Sequence, residues 1–194
     1  MRLFACTFLG SADRAFYDAM IRRLAGTHGR LLRPIPADSA HVTYAFIEHL
    51  DDMRVPVAVE ALGDAAGRLE PVPLTIGAPQ VLFGGREARL IHALIVSEGD
   101  ALTRVANQLA TALEAALPNA PLTGTRSLHV TLARFRRGTS RGAAQPVVEL
   151  LARGEAPIRR HTRFTNVQLV SSELTAEGPI YTVLASVALG EPAT

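Results

Sequence analysis

The chain has 194 residues, of which 48% are hydrophobic but only 5% aromatic and none Trp, so any core must be aliphatic. That length supports one domain, 1–194, built as a single unit or as two intimately packed lobes. The formal net charge of +2 is too small to demand a nucleic-acid partner, no apolar run of about eighteen residues suggests a membrane span, and the single Cys6 fits a reducing cytoplasm.

Residues 2–9 (RLFACTFL) read as a strand rather than a signal peptide, with Cys6 a small core residue inside it. A helix is expected from Ser11, as N-cap, to about Leu24, because Phe16, Met20, Ile21 and Leu24 recur at helical spacing before Gly26 and Gly29. Residues 31–40 (LLRPIPADSA) are Pro-rich and read as an irregular approach to a strand at 41–46 (HVTYAF). Asp51 or Asp52 opens a second helix to about Leu69, with Pro56 in its first turn. Strands at 72–83 and 88–97 follow, joined through Gly84 and Gly85. An amphipathic helix then carries Leu102, Val105, Leu109, Leu113 and Leu117 as one buried stripe, and Pro118 and Pro121 stop it. A strand at 127–135 (SLHVTLARF), a basic loop at 136–142 (RRGTSRG) and a short helix at about 145–152 come next. Two strands, about 163–173 and 179–189, joined through Glu177-Gly178-Pro179, end the pattern.

His-Val-Thr occurs twice, at 41–43 and 129–131. A lone His-x-Thr is expected by chance about half a time in such a composition, whereas two full copies are expected in well under about one per cent of such chains. Strand alternation puts His41 and Thr43 on one face, and likewise His129 and Thr131. The second motif lies 88 residues after the first, and each has a helix on both sides. This reads as an internal duplication. The expected fold is α+β and bilobal, two antiparallel-rich sheets flanked by helices and related by a pseudo-two-fold axis, with the two histidines in one central cleft.

Two imidazoles in one cleft can divide the roles of general base and general acid near neutral pH. The hydroxyls of Thr43 and Thr131 are placed to donate to developing negative charge, and Arg134 adds a guanidinium fork at the end of the second motif. Tyr44 and Phe46 are candidates to stack on a base, although core packing is an equal reading. Arg136, Arg137 and Arg141 either track a phosphate backbone or are solvated, and Arg33 is similar. The basic run Arg159, Arg160, His161 and Arg163 reads as solvated surface, His28 and His49 as loop or helix-flank residues, and His92 as a hydrogen-bonded core histidine in an apolar strand.

The two motifs, with Arg33 before the first, HVTLAR ending in Arg134 in the second and the tail SSELTAEGPIY, resemble the two-histidine phosphoesterases. The likeness is greatest to the RNA 2′,3′-cyclic phosphodiesterase or 2′-5′ RNA ligase (LigT-like) family and covers nearly the whole chain. Pro34, Ile47-Glu48 and Leu128 depart from residues common in that family. The resemblance implies a metal-free mechanism without cofactors, acting on an RNA 3′ end that carries a cyclic phosphate. It assigns His129 as base and His41 as acid, with a 2′-phosphate product and 2′-5′ ligation as the reverse reaction.

Other classes fit less well. Neither motif has the adjacent carboxylate or helical His pair of a metal hydrolase, there is no Gly-x-Ser-x-Gly elbow, and a chain without Lys cannot form a P-loop. A phosphodiesterase for small cyclic nucleotides and a non-catalytic binder of nucleotides or RNA ends remain open. A monomer is expected.

Overall fold

The computed structural model describes residues 1–125, 127–153, 160–176 and 178–190; Arg159 and Glu177 lie outside them. Strand β1 (Leu3–Phe8) leads into helix α1 (Ser11–His28), which buries Asp13, Tyr17, Ile21 and Leu24 at intervals of three and four. Short β2 (Leu32–Pro34) precedes β3 (His41–Ile47). The Asp51 carboxylate accepts a hydrogen bond from the Met53 amide at 3.0 Å and starts a 3₁₀ turn that feeds α2 (Val55–Gly67), with Pro56 in the first helical turn. Strands β4 (Val72–Gly84) and β5 (Glu87–Ser97) form a hairpin whose turn needs Gly85, at φ 63°. Helix α3 (Ala101–Ala116), β6 (Leu122–Gly124), β7 (His129–Phe135) and α4 (Arg141–Ala152) follow, then β8 (Arg160–Phe164), β9 (Asn166–Leu174) and β10 (Pro179–Ala188).

Several bounds differ from expectation for local reasons. Residues 32–34 are not irregular: they pair antiparallel with β7, from Leu32 opposite Phe135 to Pro34 opposite Ala133, with the proline at the strand's end. Helix α1 is preceded by Gly10 and runs through Gly26 to His28. Helix α4 starts at Arg141 because the Ser140 hydroxyl caps it, accepting from the Ala143 amide at 3.2 Å. The expected strand at 163–173 is two, β8 and β9, divided at Thr165.

The strands run in the order β10-β9-β1-β3-β7-β5-β4-β8, with β6 added beside β3 and β2 beside β7. The two expected sheets are therefore wings of one ten-stranded sheet, joined where Val42 of β3 pairs with Val130 of β7. These two valines are 88 residues apart, equivalent under the duplication, and their antiparallel pairing puts them on the pseudo-two-fold axis. Leu74 and Thr162, also 88 residues apart, pair in the same way between β4 and β8.

The wings do not correspond to the two halves of the sequence. The β1–β3 wing takes β6 from the second half and β9 and β10 from the end of the chain, whereas the β5–β7 wing takes β2 and β4 from the first half. The helices cross over too: α1 packs on β2 and β7, α3 on β3 and β6, α2 on α3, β9 and β10, and α4 on β4 and β5. Leu102, Val105, Leu109 and Leu113 of α3 are buried as their spacing requires. At the other side of the core, Arg160 of β8 reaches α1, where its Nε donates to the buried Asp13 carboxylate at 2.9 Å and its guanidinium lies 5.2 Å from the Phe16 ring centroid.

Removing Arg160 leaves the Asp13 carboxylate uncompensated in the core. Arg160→Met is expected to lower the unfolding free energy by about 1–3 kcal/mol, discounted from a fully buried pair because Arg160 is partly exposed. Urea titration of the two proteins measures it; an unchanged midpoint would show that this ion pair does not hold α1 to β8.

Candidate active site

His41 and His129 begin β3 and β7, one position from the Val42–Val130 pair. Both valines are fully buried, so strand alternation turns His41, Thr43, His129 and Thr131 to the opposite face, where they line a cleft of about 210 Å³ with Arg134 and Tyr181. Both rings are anchored alike. His41 Nδ1–H donates to the Ser39 carbonyl at 2.7 Å, and His129 Nδ1–H donates to the Ser127 carbonyl at 2.8 Å. A carbonyl oxygen can only accept, so Nδ1 carries the proton in each neutral ring and Nε2 is the nitrogen left free for chemistry.

Arg134 reaches this face because β7 is bulged. The register passes from Ile91 opposite Ala133 to His92 opposite Thr131, leaving Leu132 as an extra residue. Simple alternation would turn Arg134 away from His129; the bulge restores it to the cleft side. Strand β3 has the same bulge, with Ala5 opposite Ala45 and Cys6 opposite Thr43. It brings Phe46 to the place that Arg134 occupies in the other wing.

The two rings have different neighbours. Phe4 stacks on His41 at 4.8 Å between centroids, and Phe8 and Tyr181 meet it edge-on at 5.5 and 5.4 Å. His129 meets the edge of His92 at 5.3 Å. Burial holds the proton affinity of His41 below that of an ordinary imidazole; the Ser39 carbonyl opposes this, and the charges of Arg134 and His129 add to it. Burial also pushes up the Tyr181 hydroxyl and the Cys6 thiol, which keeps Cys6 an unreactive core group.

Other candidates lie elsewhere. Tyr44 is buried, and its hydroxyl donates to Thr7 Oγ1 at 2.8 Å, so it is a core side chain and presents no face to a base. Phe46 joins Phe4, Cys6, Phe8 and Tyr181 in a small cluster behind His41, with the Arg2 guanidinium 5.1 Å from its ring centroid. Arg33 is opposite Arg134 in the β2–β7 register, exposed beside the cleft rather than in its wall. Arg136 is exposed beyond β7 and Arg141 is not in a loop: it begins α4, lies 4.2 Å from the Phe83 ring centroid and donates to the Gly85 carbonyl at 3.0 Å. Of the basic run, Arg160 is paired with Asp13 and His161 with the Thr75 hydroxyl at 3.0 Å. Ile35, Ser39, Thr125 and Tyr181 also line the cleft and were not singled out from the sequence. The shared Ser-x-His-Val-Thr spacing signals the carbonyl anchors, whereas Tyr181 reaches the cleft through the β10–β9–β1 pairing, which no local pattern shows.

Among the described residues, no three His, Cys, Asp or Glu side chains converge as metal ligands would, and no helix is long and apolar enough to cross a membrane. A curled antiparallel sheet with paired histidine strands is the architecture of two-histidine phosphoesterases. The chain belongs to the 2′-5′ RNA ligase superfamily, whose family model matches residues 13–176. The structure is similar to that of TT0787 of Thermus thermophilus, at 26% identity over 98% of both chains with a TM-score of 0.73. It shares its fold with E. coli LigT complexed with NADP+, at 21% identity over 97% of this chain and 98% of that one, TM-score 0.64. The MHV ns2 PDE domain has the same fold at 12% identity, over 95% of this chain and 99% of that domain, TM-score 0.54. No match was found among curated protein sequences.

Because Arg134 contributes to the lowered proton affinity of His41, Arg134→Ala is expected to move the His41 titration midpoint upward, toward the ordinary imidazole value near 6.5. Histidine NMR titration of the two proteins reads this directly; a midpoint that fails to rise would place Arg134 too far from His41 to act on it.

Proposed function

We propose that the protein is a metal-independent RNA 2′,3′-cyclic phosphodiesterase that opens a terminal cyclic phosphate to a 2′-phosphate. The observation that carries this reading is the pair of anchored imidazoles, each with Nε2 free, in one cleft that also holds two hydroxyls and a guanidinium. LigT structures complexed with 3′-AMP, ATP, NADP+ and phosphate support a nucleotide or phosphate ligand for the shared fold.

In the proposed reaction His129 Nε2 takes a proton from water as the water oxygen attacks phosphorus. The bond from phosphorus to the ribose O3′ breaks, and His41 Nε2–H gives its proton to that oxygen. The 2′ ester bond stays intact, so the product is a 2′-phosphate. The nonbridging oxygens collect charge during the attack, and the Thr43 and Thr131 hydroxyls and the Arg134 guanidinium are the donors available to them. Burial makes the His41 imidazolium a ready donor, and the anionic phosphate, once bound, favours its charged form. The same steps with a 5′-hydroxyl attacking phosphorus in place of water give 2′-5′ ligation through the same groups, and their reversal cleaves that linkage.

A second reading rests on the size of the cleft. About 210 Å³ is below the usual span of ligand pockets, roughly 300–1,000 Å³, and suits a cyclic phosphate and its ribose without an extended chain. A small cyclic nucleotide would use the same chemistry.

The test is hydrolysis, in EDTA, of a short RNA with a 2′,3′-cyclic phosphate end and of the corresponding cyclic mononucleotide. The expected product is a 2′-phosphate alone, and His41→Ala and His129→Ala are each expected to lower the rate by about 10²–10⁴-fold. Wild-type turnover in either single mutant would overturn the two-histidine mechanism. Binding of the RNA end without turnover would make the cleft a recognition site instead.

A further inference from the structure

We infer that His92 is a positioning residue for His129, supplying the ring that holds the second histidine in place. The duplication makes the argument. In the first wing, Phe8, Cys6 and Phe4 of β1 stand opposite His41, Thr43 and Phe46 of β3. In the second, Leu94, His92 and Leu90 of β5 stand opposite His129, Thr131 and Arg134 of β7, with the bulge at the same point. The aromatic positions are exchanged. Where His41 has Phe4 and Phe8 around it, the equivalent Leu90 and Leu94 bring no ring to His129. The position between them, Cys6 in the first wing, is His92 in the second. Among the described residues, His92 is the ring in contact with His129, at 5.3 Å and an interplanar angle of 78°.

The surroundings of His92 give its Nδ1 no hydrogen bond and the ring no charged cross-strand partner. It is 7% exposed, and its Nδ1 is buried with no hydrogen-bond partner. A polar atom left unsatisfied in a core is a cost that a structural residue would avoid by being apolar. The fold therefore gains nothing from hydrogen bonding at Nδ1, and the aromatic contact that the ring makes is with His129. Its neighbours across the sheet are Thr131 on β7 and Gln80 on β4, neither of them charged, so no salt bridge accounts for it. Burial and the neighbouring His129 both favour the neutral form of His92.

This inference rests on His129 being a reacting group, and the experiment separates the two. His92→Cys installs the residue of the other wing and removes the ring. His92→Phe keeps a ring, and the double variant His92→Cys/Leu94→Phe moves the ring to the position that Phe8 occupies beside His41. His92→Cys is expected to lower kcat by about 10- to 100-fold with KM changed less than threefold, as a catalytic group loses its orientation. His92→Phe is expected to stay within about threefold of wild type, and the double variant to recover at least part of the loss. In parallel, nitrogen-15 NMR of His129 is expected to show one Nδ1–H tautomer in the wild type and in His92→Phe, and tautomer mixing in His92→Cys. A His92→Cys protein with wild-type kcat and an unaltered His129 spectrum would overturn the proposal, as would His92→Phe being as impaired as His92→Cys. If the wild-type protein turns over no cyclic phosphate, the proposed function fails, and the His129 spectra still decide whether His92 positions that ring.

Discussion

The histidines face one another because β3 and β7 meet at one backbone pair, Val42 with Val130. Both valines are fully buried, and burying such a side chain is worth about 1.5–3 kcal/mol, so the core holds this crossing from beneath. Alternation then fixes what lies above it. With the valines committed to the core, His41, Thr43, His129 and Thr131 must face the cleft, and the strands that splay away on either side become its walls. A one-residue slip in either strand would turn a histidine into the core. The carbonyls of Ser39 and Ser127 complete the arrangement by choosing which nitrogen each ring presents.

The backbone is close to symmetric, down to the equivalent bulges in β3 and β7, but the side chains on it are not. Phe46 stands where Arg134 does, Cys6 where His92 does, and Phe4 and Phe8 where Leu90 and Leu94 do. One wing surrounds its histidine with aromatic rings and lowers its proton affinity by burial; the other sets its histidine beside a second imidazole and carries the guanidinium. A proton donor and a proton acceptor need different surroundings, and a duplicated frame provides two matched positions on which such differences accumulate.

The parts of this arrangement that were legible in the sequence are the local ones. The helix stripe from Leu102 to Leu113, the Gly-bearing hairpin and the two His-Val-Thr strands follow from periodicity alone. The spacing of 88 residues led to the pseudo-two-fold axis, and with it to a shared cleft. What alternation could not show is the bulge, because an extra residue in one strand exists only relative to its partner. Arg134 therefore reached the candidate site by its place in the motif, while Tyr44, the extra residue of the β3 bulge, carried base stacking and core packing as equal readings that its hydroxyl bond to Thr7 decides for the core. Tyr181 and β2 escaped for the same reason: each is placed by a strand far away in sequence.

The exchange of elements between the wings has a consequence for how such a molecule can be divided. Each wing draws strands from both halves of the chain, and α1 and α3 each lie over the wing that carries the other half's histidine strand. A fragment ending before β5 would keep His41 and Thr43 but lose β9 and β10 from beside β1, and it would leave β2 and β4 without the strands they pair with. Neither half contains a finished layer, so the repeat in the sequence is not a unit of folding. A half-length chain with a single His-Val-Thr could build a closed cleft only by trading strands with a second copy of itself. Joining two copies end to end makes that trade internal, and it allows the two histidines to diverge, which identical subunits cannot do.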